Sequence, residues 1–224
     1  ADDINETVES FILSSFEFTN DTCLCWAFCL RKKSIPLFDA ILNNQVLNAN
    51  LGVYKCRFLN ALLNASIVLK AESLQRTGAF KIRGAMNKIA RLGDSAKSGV
   101  VTGSAGNHAQ GVALSAHRLG CRAVIVMPTT TPQVKVDAVR SFGGEVVLFG
   151  DSYSDAYGHS LLLQKKEGLT FVHPFDDPDV IAGQGTAGLE IGEELAPDIV
   201  FTPASGGGLA AGTAIALPNA TIIA

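Results

Sequence analysis

The sequence predicts an α/β protein in which parallel strands alternate with helical crossovers, and three observations predict it. From about residue 66 onward, short apolar runs alternate with helix-length segments. Glycine and proline mark the boundaries: Gly93, Gly120 and Gly143-Gly144 follow predicted helices, and Pro128 closes a predicted strand. The composition, 47% hydrophobic against 17% charged, suits strands buried on both faces and excludes a disordered or low-complexity chain.

In order along the chain, residues 66–70 read as a strand. Residues 80–92 read as a helix, with Phe80, Ile82, Ala85, Met86, Ile89 and Leu92 at helical spacing and a stop at Gly93. Strand 99–102 leads into a small-residue helix over 107–119, and strand 123–127 into a helix over 132–142 that carries Pro132 at its start. Strand 145–149, helix 155–166 and strand 169–173 follow, then helix 185–195, strand 199–202, helix 209–217 and strand 221–223. Residues 1 to about 65 are Asn-rich and Cys-rich without sustained periodicity, and no element is assigned there. Such alternation implies right-handed crossovers, with ligands beyond the carboxyl ends of the strands.

Charge excludes several partners. Lys+Arg 18 against Asp+Glu 21 gives −3, so no basic surface points to nucleic acid. Residues 199–224 are uncharged, but Pro203, Gly206-Gly207-Gly208 and Pro218 divide them into strand and helix lengths rather than a membrane span. Residues 22–30 are too short to span and lack the basic start of a secretory signal. Of the five cysteines, Cys23, Cys25 and Cys29 cluster, with no second ligand group at zinc spacing. Free thiols in a reducing compartment, the cytoplasm or an organelle, and no metal site are the expectation.

Three polar or glycine-rich loops could carry chemistry. Gly206-Gly207-Gly208 follows a predicted strand and opens a helix, where bare N–H groups and the helix dipole favour an anion such as phosphate. A tight turn without ligand is the plain alternative. Gly183-Gln184-Gly185-Thr186-Ala187-Gly188 fits the dinucleotide fingerprint by letter, but no clear strand feeds it and the acidic residue about 20 positions on is missing. Lys81 stands at the start of a helix, where the dipole disfavours its charge; that suits an amine nucleophile or base, although any single lysine is more often a solvated one. Ser104-Ala105-Gly106-Asn107-His108-Ala109-Gln110 is a third loop entering a helix, able to hold a carboxylate on backbone N–H groups.

Thr77-Gly78-Ala79-Phe80-Lys81-Ile82-Arg83-Gly84, then Ser104 to Gly111, then Gly206-Gly207-Gly208-Leu209, in that order, resemble the fold-type II pyridoxal-phosphate enzymes. Within them the chain is similar to the threonine dehydratase (threonine ammonia-lyase) and serine racemase branch. Val126-Met127-Pro128, residues 135–140, Phe142-Gly143-Gly144-Glu145-Val146 and residues 181–186 sit nearest the biosynthetic threonine dehydratases of isoleucine and branched-chain amino-acid synthesis. The resemblance runs from about residue 66 to 217.

The resemblance implies two open parallel-sheet domains of the tryptophan synthase β-like architecture. A small domain over about 99–172 is inserted into a larger cofactor-binding one made of 66–98 and 173–224, with the end of 1–65 joined to it. Lys81 would form the Schiff base with pyridoxal phosphate, and Phe80 would pack beside its ring. Asn107 would bond the ring hydroxyl, and Ser205, Gly206, Gly207, Gly208 and Leu209 would bind the phosphate. Ser104, Gly106, Asn107 and His108 would cradle the carboxylate of a small amino-acid substrate. Lys81 would then take the α-proton, the β-hydroxyl would leave, and a 2-oxo acid and ammonia would result. A homo-oligomer associating through the larger domain is also implied.

Ala105 stands where racemases of this branch carry a serine acid/base, which favours elimination over racemisation. Three departures matter. Ser205 replaces the first glycine of a four-glycine run, so its Cβ is expected to strain the turn. The helix after this loop looks cut short by Pro218. The ring-nitrogen partner and divalent-cation ligands are expected beyond Ala224, which makes the architecture truncated and a catalytically incomplete fragment the competing reading. Upstream, the Thr-Pro-Leu substrate-side motif is not recognisable, although residues 40–49 resemble the family's lead-in.

Overall fold

The computed structural model describes residues 26–29, 53–55 and 57–224; Cys23, Cys25, Cys56 and residues 40–49 lie outside them. The elements are β1 (Trp26–Cys29), β2 (Tyr54–Lys55), α1 (Arg57–Leu63), β3 (Val68–Ala71), α2 (Lys81–Leu92), β4 (Val100–Gly103), α3 (Asn107–Arg118), β5 (Ala123–Met127), α4 (Gln133–Ser141), β6 (Glu145–Leu148), α5 (Tyr153–Glu167), β7 (Thr170–Phe171), α6 (Pro178–Glu194), β8 (Ile199–Phe201), α7 (Gly208–Ala216) and β9 (Thr221–Ile223). Short 3₁₀ turns occupy Glu72–Leu74 and Gly93–Ser98.

Four strands form a wholly parallel sheet in the order β6-β5-β4-β7. Side-chain alternation builds a core on each of its faces. Val100, Ile125 and Met127 join Val112 and Ala113 of α3, while Val101, Val124 and Val126 join Ala156 of α5. A second sheet has the order β2-β3-β1-β8-β9 and is mixed: β8 and β9 run parallel, and β1 lies antiparallel between β3 and β8. Thus Trp26–Cys29, inside a segment for which the sequence gives no element, supplies a central strand. Val68, Ile191, Val200 and Leu217 pack its core beneath α6 and α7.

One helix differs clearly from expectation. It starts at Pro178 rather than Gly185, because Asp177 caps it by accepting the N–H groups of Asp179 and Val180, with proline in the first turn. The Gly183-Gln184-Gly185 motif therefore sits inside α6, not at a strand-to-helix turn. Its glycines serve backbone contact: a Cβ on Gly185 would stand 2.8 Å from the Gly212 carbonyl oxygen of α7, and one on Gly188 3.1 Å from the Thr213 Cα.

Candidate active site

The loops that leave the carboxyl ends of β4, β7 and β8 meet the start of α2. Lys81 is the first residue of α2, and its Nζ donates to the Pro174 carbonyl at 2.7 Å. The same Nζ stands 5.3 Å from the Phe80 ring centroid. Phe80 is buried with Ala187 and Leu209, so the lysine's neighbour is packed directly beneath the start of α7. Three predicted residues, Phe80, Lys81 and Leu209, are thus brought together.

After β8 the chain turns tightly, with the Gly207 N–H donating to the Ala204 carbonyl at 2.8 Å. Gly207 has φ +81° and forms the N-cap of α7 without any side-chain cap, leaving the first N–H groups of that helix unpaired within it. Ser205, at φ +44°, carries the strain expected of a side chain in the left-handed region. A Cβ on Gly206 would collide with the Phe175 ring, and one on Gly208 would stand 3.0 Å from the Phe175 carbonyl oxygen. The Gly207 N–H is spent on the turn, so Gly207 shapes the loop through its conformation, while Gly206, Gly208 and Leu209 keep N–H groups that an anion could meet.

A second helix start faces the same space. Gly106 is the N-cap of α3, again without a side-chain cap, and Asn107 and His108 are its first residues. Ser104 Oγ accepts the Gly106 N–H at 3.4 Å. His108 is turned inward, its Nε2 donating at 3.0 Å to the Val172 carbonyl, which also accepts Thr102 Oγ1 at 2.9 Å. Burial drives the His108 pKa down to about 3 against the opposing pull of that carbonyl, and Lys81 and His173 push it further the same way. The ring is neutral and its buried Nδ1 has no protein partner. A lone pair cannot donate to a carboxylate, so the backbone N–H, not the ring, is the group His108 can offer one.

The sequence reading missed His173, Pro174 and Phe175. The His173–Asp176 turn joins β7 to α6 and touches both Lys81 and the glycine loop. A proline-containing turn has no apolar period to read; the only signal is a polar, aromatic step between a strand end and a helix cap.

The family profile for pyridoxal-phosphate dependent enzymes matches residues 47–222. The chain belongs to that family. It is 58% identical over 164 residues to the L-threonine dehydratase biosynthetic IlvA of Burkholderia multivorans, covering 70% of this chain and 32% of the relative. It is 52% identical to the L-threonine ammonia-lyase of Thermotoga maritima, covering 72% and 41%. Among solved structures, the processed form of threonine deaminase isoform 2 from Solanum lycopersicum superposes with TM-score 0.64 at 52% identity, over 67% of this chain and 46% of that one. Maize serine racemase superposes with TM-score 0.71 at 36% identity, over 76% and 54%. The chain thus spans 32% and 41% of the length of the two curated relatives described here.

The residues present fit the family's cofactor. Lys81 would offer an amine for its aldehyde, and the exposed Ser205–Gly206 turn before the uncapped α7 has room and bare N–H groups for its phosphate, a turn that a Cβ at 206 would disrupt. Among the described residues no group of three acidic, histidine or cysteine side chains could hold a metal ion. No helix among them is long and apolar enough to cross a membrane.

Proposed function

We propose that this chain carries the catalytic lysine and the cofactor cradle of a pyridoxal-phosphate lyase. Its reaction converts L-threonine, and L-serine, into the corresponding 2-oxo acid and ammonia. The observation that carries the reading is the convergence of the Lys81 amine with two uncapped helix starts, α3 and α7, at the carboxyl ends of the strands. The dehydratase and ammonia-lyase names of the relatives support the substrate.

In this reading the Gly206, Gly208 and Leu209 N–H groups and the Ser205 hydroxyl hold the cofactor phosphate, helped by the α7 dipole. Asn107 orients the ring, and Phe80 supports it. When bound, pyridoxal phosphate supplies the aldehyde that takes up the substrate amine and the electron sink for the pair left when the α-proton departs. The backbone N–H groups of Asn107 and His108, with Ser104 and Gly106, hold the substrate carboxylate. Lys81 Nζ would accept the α-proton and a proton would pass from it to the β-hydroxyl, which would leave as water; a second water would release ammonia, so threonine would yield 2-oxobutanoate plus ammonia. Ala105 places no ionisable group in the 104–107 loop, which favours elimination over racemisation. The proposal also takes 99–172 as the small domain, and 66–98 with 173–224 as the large one. It extends to a homo-oligomer in the cytoplasm or another reducing compartment, supported by the family resemblance and the free thiol of Cys121.

Titrating the chain with pyridoxal phosphate should give a borohydride-reducible adduct that Lys81→Ala abolishes, and adding L-threonine should release 2-oxobutanoate. An adduct that survives K81A overturns the assignment of Lys81. An adduct with no keto acid confines the function to cofactor binding.

A further inference from the structure

The His173–Asp176 turn touches both Lys81 and the glycine loop, yet none of its side chains meets substrate or cofactor in the proposed reaction. His173 Nδ1 accepts two backbone N–H groups, from Phe175 at 3.3 Å and from Asp176 at 2.7 Å, closing the turn much as an Asx side chain would. Within the turn, the buried Pro174 presents its carbonyl to Lys81 Nζ at 2.7 Å. The next residue, Phe175, sets its ring where a Cβ of Gly206 would be and meets the His173 ring edge to face at 4.7 Å.

We propose that His173 is a positioning residue: its unprotonated Nδ1 holds the turn that docks the Lys81 amine on one side and floors the phosphate loop on the other. The proposal rests on the reading of Lys81 and residues 205–209 as the cofactor site. Its physical content is a tautomer. Two N–H groups point at Nδ1, so a proton there would face two donors, and the ring must carry its hydrogen on Nε2. The surroundings favour the neutral ring. Burial pushes the His173 pKa down and Lys81 adds to that, with Asp176 and Asp177 pulling the other way without reversing it. The neighbouring His108 ring is itself held neutral by its burial.

The test compares His173→Ala with His173→Asn. Asparagine Oδ1 can accept the N–H groups two and three residues on, whereas alanine cannot. H173A should weaken pyridoxal-phosphate binding by roughly tenfold, the scale of two ordinary hydrogen bonds, and raise hydrogen exchange at the Phe175 and Asp176 amides. H173N should return both to within about threefold of wild type. Nitrogen NMR of the wild-type ring should report the Nε2–H tautomer. If H173A does not fold, the H173N titration and the wild-type tautomer decide. Wild-type affinity in H173A, an H173N variant no better than H173A, or an Nδ1–H tautomer would each overturn the proposal. Absence of any adduct in wild type would instead overturn the parent reading, a result separate from these.

Discussion

The four-stranded sheet and the seam beneath Lys81 are buried alike but held by opposite means. In the sheet, Val100, Val101, Val124, Ile125, Val126 and Met127 are almost fully buried, and hydrocarbon covers both faces. In the seam, Arg83 of α2 lies between two carboxylates. Its Nε and Nη2 reach Glu72 at 2.7 and 2.8 Å, and its Nη1 and Nη2 reach Glu190 at 2.6 and 2.8 Å. Lys70 adds a 2.8 Å contact to Glu190. Burial alone would lower the Arg83 pKa and raise that of Glu190, but hydrogen bonds and charge from Glu72 and Glu190 reverse the first shift, and those from Arg83 and Lys70 reverse the second. Hydrophobic burial is non-directional and fixes where layers lie; a forked guanidinium fixes an angle. Residues two apart on a helix lie about 200° apart around its axis. Anchoring Arg83 inward therefore turns Lys81 outward, toward Pro174 and the cleft.

Removing the fork should give the largest effect. Arg83→Met leaves the buried Glu72 without its cation and should cost about 3–5 kcal/mol in urea unfolding. Ile125→Val, in the equally buried sheet, should cost about 1 kcal/mol. Arg83→Lys should recover little, because an ammonium cannot fork to two carboxylates. A loss at R83M no greater than at I125V would show that the seam positions nothing that ordinary packing does not.

The same contrast separates what the sequence disclosed from what it did not. Strand β5 has the bounds that its apolar run predicts, since a strand buried on both faces is written as a continuous apolar segment; β9 also has its predicted bounds, although it lies largely exposed at the sheet edge. The starts of α5 and α6 were legible in kind but not read. Ser152 and Asp155 form a capping box, and Asp177-Pro178 is a cap followed by a first-turn proline; polar caps lie outside the hydrophobic period that marks a helix. In the candidate site, Lys81, Asn107 and the glycine loop could be read because helix starts and glycine runs are local signals. The pairings of Arg83 with Glu190, 107 positions apart, and of Lys81 with Pro174, 93 apart, have no local signature; only the fold creates them.

His108 offers an intermediate effect, measured by pH. Its folded pKa, about 3, lies below the usual imidazole value of 6.5, so the unfolded chain binds the extra proton in between. Stability from this residue is complete above pH 6.5 and is lost as pH falls toward 3. Between pH 7 and pH 5 the loss should be about 2 kcal/mol. His108→Gln retains a donor for the Val172 carbonyl but no proton to gain, so the difference between wild type and H108Q should shrink by that amount as pH falls. A difference that stays constant would mean that His108 is not held neutral by its burial.

The smallest effect should come from the strain in the phosphate loop. Ser205 stands at φ +44° beside Gly207 at φ +81°, and its side chain is exposed, so nothing in the packing repays its conformation. A non-glycine residue in the left-handed region costs about 1–2 kcal/mol, and glycine returns some of that as added freedom in the unfolded chain. Ser205→Gly should therefore raise stability by about 0.5–1 kcal/mol. If the hydroxyl also binds phosphate, the same variant should weaken the affinity for pyridoxal phosphate while the protein becomes more stable. Opposite signs in unfolding and in cofactor titration would show that the strain is kept for the ligand. A gain in both would show that Ser205 merely disturbs a loop whose N–H groups suffice.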